Sequence, residues 1–197
     1  MTSKGSNTKE KIHAAAARLF AQKGYHGTSI RDLAQELGLQ KSSLYNHFHS
    51  KEDLLFHLVD ELMDQALERI EAVSSPAATP KEKLSAFIRF YTNIYAAEPD
   101  RLTVLINELD NLSPEQKRVV LAKERRYVKA IKDILEEAAQ AGLLRGIPPA
   151  VAIFAFFGMV HYTPKWYQPE GAVSPEELGR LFEAIFCHGV FSAEDRA

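Results

Sequence analysis

The sequence predicts an all-α protein, with a small three-helix module at its amino end and a larger helical body after it. Three observations carry that expectation. Apolar residues recur at the i, i+3, i+4, i+7 spacing of one-sided helices along most of the chain. Three times a Ser or Thr is followed by Pro and, three residues on, by Glu or Gln: Thr79-Pro80-Lys81-Glu82, Ser113-Pro114-Glu115-Gln116 and Ser174-Pro175-Glu176-Glu177. There the hydroxyl suits an N-cap, the proline a first helical position, and the Glu or Gln a reciprocal bond to the cap. No strand-period or internal-repeat signal competes.

Residues 1–6 are small and polar with nothing to bury, and are expected to form a mobile arm. The first helix is expected to start at Asn7, with Glu10 at capping-box spacing, to bury Ile12, Ala15, Ala16, Leu19 and Phe20, and to end at Gly24. Ile30, Leu33, Ala34 and Leu37 form the stripe of a second helix. Gly38 stops it, because glycine accepts the left-handed backbone of a helix C-terminus. Leu44 and Phe48 anchor a third helix. With those two turned inward, Lys41, Ser42, Tyr45 and Asn46 are left on its outer amino-terminal side, a polar and basic face of the kind a recognition helix brings to base edges in a major groove.

Ser50, with Asp53 at N3, begins a long fourth helix whose apolar set is Leu54, Leu55, Leu58, Val59, Leu62, Met63, Ala66 and Ile70. Residues 74–79 (SSPAAT) are the clearest boundary by composition. The helix from Pro80 carries Leu84, Phe87, Ile88, Tyr91 and Tyr95 on one face, and phenols on an apolar stripe favour a cavity or a wet edge. Leu102, Leu105, Ile106 and Leu109 are expected to supply another wall. On the helix over 114–140, Arg118, Arg125, Lys129 and Lys132 lie opposite Val120, Tyr127, Ile131 and Ile134 as a solvated face. Arg126 lies nearer the apolar border, a candidate for holding an anionic group at a pocket mouth.

The helix after Pro148-Pro149 is apolar almost all round, and the last helix carries Leu178, Leu181, Phe182, Ile185 and Phe186. That is more apolar surface than solvent tolerates on a monomer. Phe154, Gly158, Leu178, Phe182 and Ile185 are therefore candidates for a dimer interface, Gly158 permitting close approach of another helix. Between the two helices lies a Trp-Tyr-containing connection with His161, Lys165 and Trp166.

At 197 residues the chain has room for one small and one medium domain. The net charge of −2 divides unevenly: residues 1–50 hold seven Lys or Arg against Glu10, Asp32 and Glu36, hence +4, which leaves −6 for the rest. A basic end on an acidic body suits a nucleic-acid reader attached to something else. Cys187 is the only cysteine, so no intrachain disulfide forms, and a reducing compartment fits. The amino end is polar rather than a secretory leader, and the apolar run 150–160 is too short to span a bilayer, so the expected location is cytoplasmic. His47 and His49 stand at i and i+2 without acidic or cysteine company, so no metal site is expected. GxSxG, HExxH, a phosphate-binding glycine loop and a Cys-His nucleophile pair are all missing. That argues against an enzyme, including one acting on acyl thioesters, and no catalytic residue or cofactor is expected.

The stretch 28–51 resembles the amino-terminal signature of the TetR family of one-component repressors, at Thr28, Leu33-Ala34, Leu37-Gly38, Leu44-Tyr45-Asn46-His47-Phe48 and Ser50-Lys51. The family often has a Ser or Thr N-cap where this chain has Gln40. The resemblance implies a helix-turn-helix DNA-binding domain over 1–50 and a ligand-binding and dimerisation domain over 51–197. It further implies a homodimer whose last two helices form a four-helix interface on a near-palindromic operator in double-stranded DNA. Arg31, Lys41 and Tyr45 are implied as base contacts, with Ser42 beside them, and Thr28, Ser43, His47 and Lys51 as phosphate contacts or their support. The connection at 161–171, with Glu177-Leu178 and residues 186–189, resembles the branch that controls breakdown of fatty, steroid or aromatic acids and responds to their coenzyme A thioesters. That implies a small-molecule effector, an acyl or aryl coenzyme A thioester, with its apolar tail among Phe87, Tyr91, Phe157 and Tyr127 and its phosphate-rich end near Arg126 or Lys165, Tyr95, His161 and Trp166 being further ligand-binding candidates. A multidrug sensor controlling efflux is the alternative within the family.

Overall fold

Helices begin where side chains can cap them. The computed structural model describes residues 3–74, 77–144 and 146–190. Among these the chain forms nine α-helices, two short 3-10 turns and no β-strand: α1 (Ser3–Gly27), α2 (Ile30–Leu37), α3 (Lys41–Leu44), α4 (Lys51–Val73), α5 (Pro80–Ala97), α6 (Pro99–Asn107), α7 (Pro114–Gln140), α8 (Pro149–His161) and α9 (Pro175–Val190). The three predicted Ser/Thr-Pro starts are all used. Thr79 Oγ1 accepts from Glu82 N while Glu82 accepts from Thr79 N, Ser113 and Gln116 exchange bonds in the same way, and Ser174 Oγ accepts from Glu177 N. No helix among the described residues is long and apolar enough to cross a membrane.

Contacts divide the chain into two compact units, residues 1–65 with 100–123, and residues 66–99 with 124–197. In the first, Ile12, Ala16, Leu19 and Phe20 of α1 are buried, as are Leu33 and Ala34 of α2, Leu44, Phe48, and Leu54, Leu55, Leu58 and Val59 of α4. Each such large side chain contributes about 1.5–3 kcal/mol relative to staying exposed. Helix α1 is already formed at Ser3, so Asn7 is not its N-cap; of the expected arm, residues 1–2 lie outside the described residues. The regular helix does break at Gly24, whose φ of 74° and ψ of 162° are open to glycine. Helix α6 groups with this unit and turns Leu102 and Val104 inward while Ile106 is exposed. The expected wall of Leu102, Leu105, Ile106 and Leu109 is thus one position out of phase at its centre, because Val104 takes the buried place.

In the second unit, α9 lies against α5, and Gly179 is what allows the approach: a Cβ there would stand 3.2 Å from the Arg89 carbonyl oxygen. Buried Lys83 of α5 donates to Glu137 of α7 at 2.7 Å. Acidic residues near the negative end of α7 are unfavourable for its dipole, and here they have cations: Lys129 holds Asp133 and Lys132 holds Glu136 at i, i+4, and Lys83 holds Glu137. On α4 the expected Ala66 is half-buried and Leu67 fills the core position instead. Residues 75–76 of the composition boundary lie outside the described residues.

His13 of α1 is buried beside Glu61 of α4, its Nδ1 3.1 Å from the carboxylate, which Lys9 also holds. Burial, reinforced by Lys9 and Arg101 and opposed by Glu61, lowers its pKa from 6.5 to about 4. The unfolded chain therefore binds this proton at a higher pH than the folded chain does, and stability falls as pH drops from 6.5 towards 4. Urea denaturation at stepped pH should show that fall, with a slope approaching about 1.4 kcal/mol per pH unit for this one group. His13→Gln should flatten it.

Candidate DNA-reading face and aromatic cluster

The reader is set by how α1 stops and α2 starts. Thr28 is buried, and its hydroxyl lies 3.1 Å from the Leu19 carbonyl and 3.0 Å from that of Gly24, so its one proton is shared between backbone acceptors near the end of α1. Ser29 then caps α2 in a reciprocal box with Asp32. At the other end Gly38, at φ 63°, closes α2, and Leu39 N donates back to Ala34 O at 2.9 Å. Lys51, at the start of α4, reaches back to the same corner: its ammonium donates to Tyr25 O at 2.8 Å and Thr28 O at 2.9 Å, and stands 4.0 Å from the Tyr25 ring centroid. Thr28 and Lys51 are thus occupied in building the corner.

Helix α3 is regular over Lys41–Leu44 alone and continues as a turn through His47, whose N–H bonds Leu44 O at 2.9 Å. Gln40 gives it no side-chain cap. Leu44 and Phe48 are buried, as their spacing predicts, which leaves Lys41, Ser42, Tyr45, Asn46 and His47 exposed together and Ser43 half-buried. The Lys41 ammonium stands 5.8 Å from the Tyr45 ring centroid. Arg31 is exposed on α2. This face offers a guanidinium, an ammonium, hydroxyls and an amide, the donor and acceptor set that reads base edges and phosphates.

In the second unit the structure brings six of the nine expected ligand residues into one cluster. Tyr91 of α5 is ringed by Phe87 (5.5 Å between centroids), Tyr95 (4.6 Å), Tyr127 of α7 (5.8 Å, stacked) and Phe157 (5.3 Å) and His161 (6.2 Å) of α8. Phe156, which the helical spacing of α8 marks as apolar but does not single out, lies 5.2 Å from Phe87 and 5.6 Å from Tyr91 and completes the cluster. The Tyr91 hydroxyl stands 2.8 Å from that of Tyr95 and 2.9 Å from His161 Nε2. Burial lowers the His161 pKa to about 4, so the ring is neutral near pH 7 and can end that chain as an acceptor. Burial also pushes the Tyr91, Tyr95 and Tyr127 phenols up, keeping all three as protonated donors. Tyr127 Oη is buried with no hydrogen-bond partner among the described residues, an omission that costs about 1–3 kcal/mol.

The three remaining residues stand elsewhere. Arg126 is exposed and pairs with Glu71 at 3.2 Å, because on α7 its side chain turns towards solvent. Lys165 is exposed, and Trp166 packs on Tyr167 and Phe182. The α8–α9 surface sorts in the same way. Phe154 (67% exposed), Gly158 and Ile185 (61%) face outward with Val151 and Leu181, whereas Leu178 and Phe182 are buried within the chain and belong to its core. Cys187 is half-buried, and burial raises its thiol pKa to about 11, so it is a poor nucleophile.

The combined change of Lys41→Ala and Tyr45→Ala should leave thermal stability within about 0.5 kcal/mol of the parent, as for other exposed sites. It should abolish discrimination between a DNA site selected from a random pool and its scrambled form in a gel-shift titration. Lys51→Met is expected to act oppositely on the fold, lowering unfolding stability by roughly 1–3 kcal/mol because the part-buried Thr28 carbonyl loses its ammonium donor and that of Tyr25 keeps only the Thr28 N–H.

Residues 12–58 match the family model described as bacterial regulatory proteins, tetR family, and residues 77–190 match that for the tetracyclin repressor-like C-terminal domain. The HTH-type transcriptional repressor KstR2 of Mycolicibacterium smegmatis is 28% identical over 196 residues, covering 98% of this chain and 95% of the relative. A fatty acid metabolism regulator protein of Bacillus subtilis is 29% identical over 150 residues, 76% of this chain and 77% of that one. Among solved structures, AibR in complex with isovaleryl coenzyme A and operator DNA superposes with a TM-score of 0.76 at 29% identity, over 90% of this chain and 96% of that one. With a reader at one end and a helical body at the other, both matched, the chain belongs to the TetR family and is a transcriptional repressor, not an enzyme.

Proposed function

We propose that the protein is a homodimeric repressor that binds a near-palindromic operator through Arg31, Lys41, Ser42, Tyr45 and His47, and that an acyl or aryl coenzyme A thioester releases it. The reading is carried by the cluster around Tyr91. An enclosed group of rings with phenols and a neutral imidazole at its heart suits an apolar acyl body with one or two polar atoms. A relative of similar length that holds isovaleryl coenzyme A supports the same class of effector, and the fatty-acid regulator supports control of acid breakdown. The acyl part would lie among Phe87, Tyr91, Tyr95, Tyr127, Phe157 and His161. Since Arg126 is tied to Glu71 on the surface and Lys165 is exposed, the phosphate-rich end would meet solvent-facing cations, not a closed pocket. Release requires that the effector favour one conformation over another; equal affinity for both shifts nothing.

Titrating aryl and branched acyl thioesters, their free acids and coenzyme A alone against protein bound to its selected DNA site tests this. Thioesters should release the DNA at concentrations where the acids and coenzyme A do not. Release by acids and thioesters alike would leave a sensor of hydrophobic acids, and release by amphipathic cations alone would make it an efflux regulator.

The dimer is read from the outward apolar face of α8 and α9. Phe154→Asp with Ile185→Asp should yield a helical monomer in sedimentation, where the parent sediments as a dimer at micromolar concentration. Phe182 is left intact because it is 7% exposed and its loss would test folding instead.

A further inference from the structure

We propose that Tyr127 selects the effector, its hydroxyl donating a hydrogen bond to an uncharged acceptor oxygen, such as a carbonyl, on the apolar body that enters the cluster. This deepens the reading of the cluster as the effector site and rests on it. Three phenols meet there, and two of them are satisfied within the chain: Tyr95 and Tyr91 bond each other and end on His161 Nε2. The third is not. Tyr127 is 4% exposed and its hydroxyl has no partner among the described residues, although its ring stacks on Tyr91 and lies 6.0 Å from Phe87. A phenol left this way keeps an O–H with nothing to receive it, and a ligand acceptor is what the position lacks.

The surroundings decide which acceptor. Rings contributed by Phe87, Tyr91, Phe156 and Phe157, with a His161 kept neutral by burial, hold no cation that would compensate a carboxylate. An ionised acid would therefore bury its charge unpaired, at far greater cost than a ketone or thioester carbonyl. The flat faces favour a planar or ring-bearing body, since His161 already lies parallel to Tyr95 (14°) and to Phe157 (17°). Tyr91 and His161 keep accessible surface despite the rings about them, whereas Tyr127 is buried.

The test uses the full chain, as parent and as Tyr127→Phe, with three neutral or anionic probes free of coenzyme A: propiophenone, propylbenzene and phenylacetate. Ligand-observed NMR titration gives the affinities, and infrared spectroscopy follows the ketone C=O band. The parent should bind propiophenone with its band moved to lower wavenumber, bind propylbenzene, and exclude phenylacetate near neutral pH. The phenylalanine variant should lose about tenfold in propiophenone affinity, the worth of one buried hydrogen bond, and lose the band shift, while binding propylbenzene as before. It should also melt no lower than the parent, because it removes a group that lacks a partner. Failure of propiophenone to bind, an unchanged ketone affinity or band shift in the variant, binding of phenylacetate as tight as that of the ketone, or a variant that melts well below the parent would each overturn the assignment. Because the probes lack coenzyme A, these results are independent of whether thioesters release DNA.

Discussion

The reading head depends on what happens to a few carbonyls where α1 stops. Gly24 takes the chain out of helical geometry, and at this corner the oxygens of Leu19, Gly24 and Tyr25 receive side-chain donors from beyond α1. They find them in Thr28 and Lys51, side chains that precede α2 and open α4. Two backbone-seeking polar groups thereby fix the directions in which two helices leave one corner, and the α2–α3 pair inherits its orientation from them. The apolar contacts of Phe20, Leu33, Leu44 and Leu54 supply most of the stabilisation, but non-directional burial would tolerate a rotated α2. Hydrogen bonds at 2.8–3.1 Å to named carbonyls tolerate it far less.

The second unit solves a different problem. Its interior is rich in rings that also carry polar atoms, and burying phenols without partners is costly. Pairing Tyr91 with Tyr95 and His161 settles most of that cost, with the lowered basicity of His161 a consequence of its position in the ring stack. Elsewhere the unit follows simple rules, with Lys83 meeting Glu137 across α5 and α7 and Gly179 sparing α9 a clash with the α5 backbone.

Much of this was legible because it is local. Capping boxes, the glycine stop after α2 and the inward pair Leu44 and Phe48 each involve residues within four positions of one another, and their chemistry has few alternatives. Phe87, Tyr91 and Tyr95 of the cluster were also legible, since phenols on an apolar stripe are unusual. Long-range and rotational information was not. That Lys51 would reach back 26 residues to Tyr25 O, or Lys83 forward 54 to Glu137, leaves no trace in spacing. Helices apolar on several sides gave no signal for which side faces inward, so Leu178 and Phe182 looked equivalent to Ile185 until packing separated them. Arg126 stands beside Tyr127 in sequence, and a helix turns adjacent residues roughly 100° apart. That is enough to send one to the core and the other to solvent.

Two departures from the chain's own rules fall at the two candidate sites. Most helices here are capped, and most buried polar groups are paired. Helix α3 has no side-chain cap, spans four regular residues, and is held down by Leu44 and Phe48 while its polar side chains stay exposed. A longer, self-satisfied helix would gain little from DNA; a short one whose donors are free has contacts still to make. Tyr127 repeats the pattern at depth, a donor carried into an apolar interior and left open. Exceptions to local rules are expected at functional sites, and among the described residues the buried Thr92 hydroxyl and the start of α8 at Pro148 lack side-chain partners as well. In the proposed reading the uncapped start at Gln40 and the unpaired phenol at Tyr127 are the same kind of feature, one left for DNA and the other for the effector.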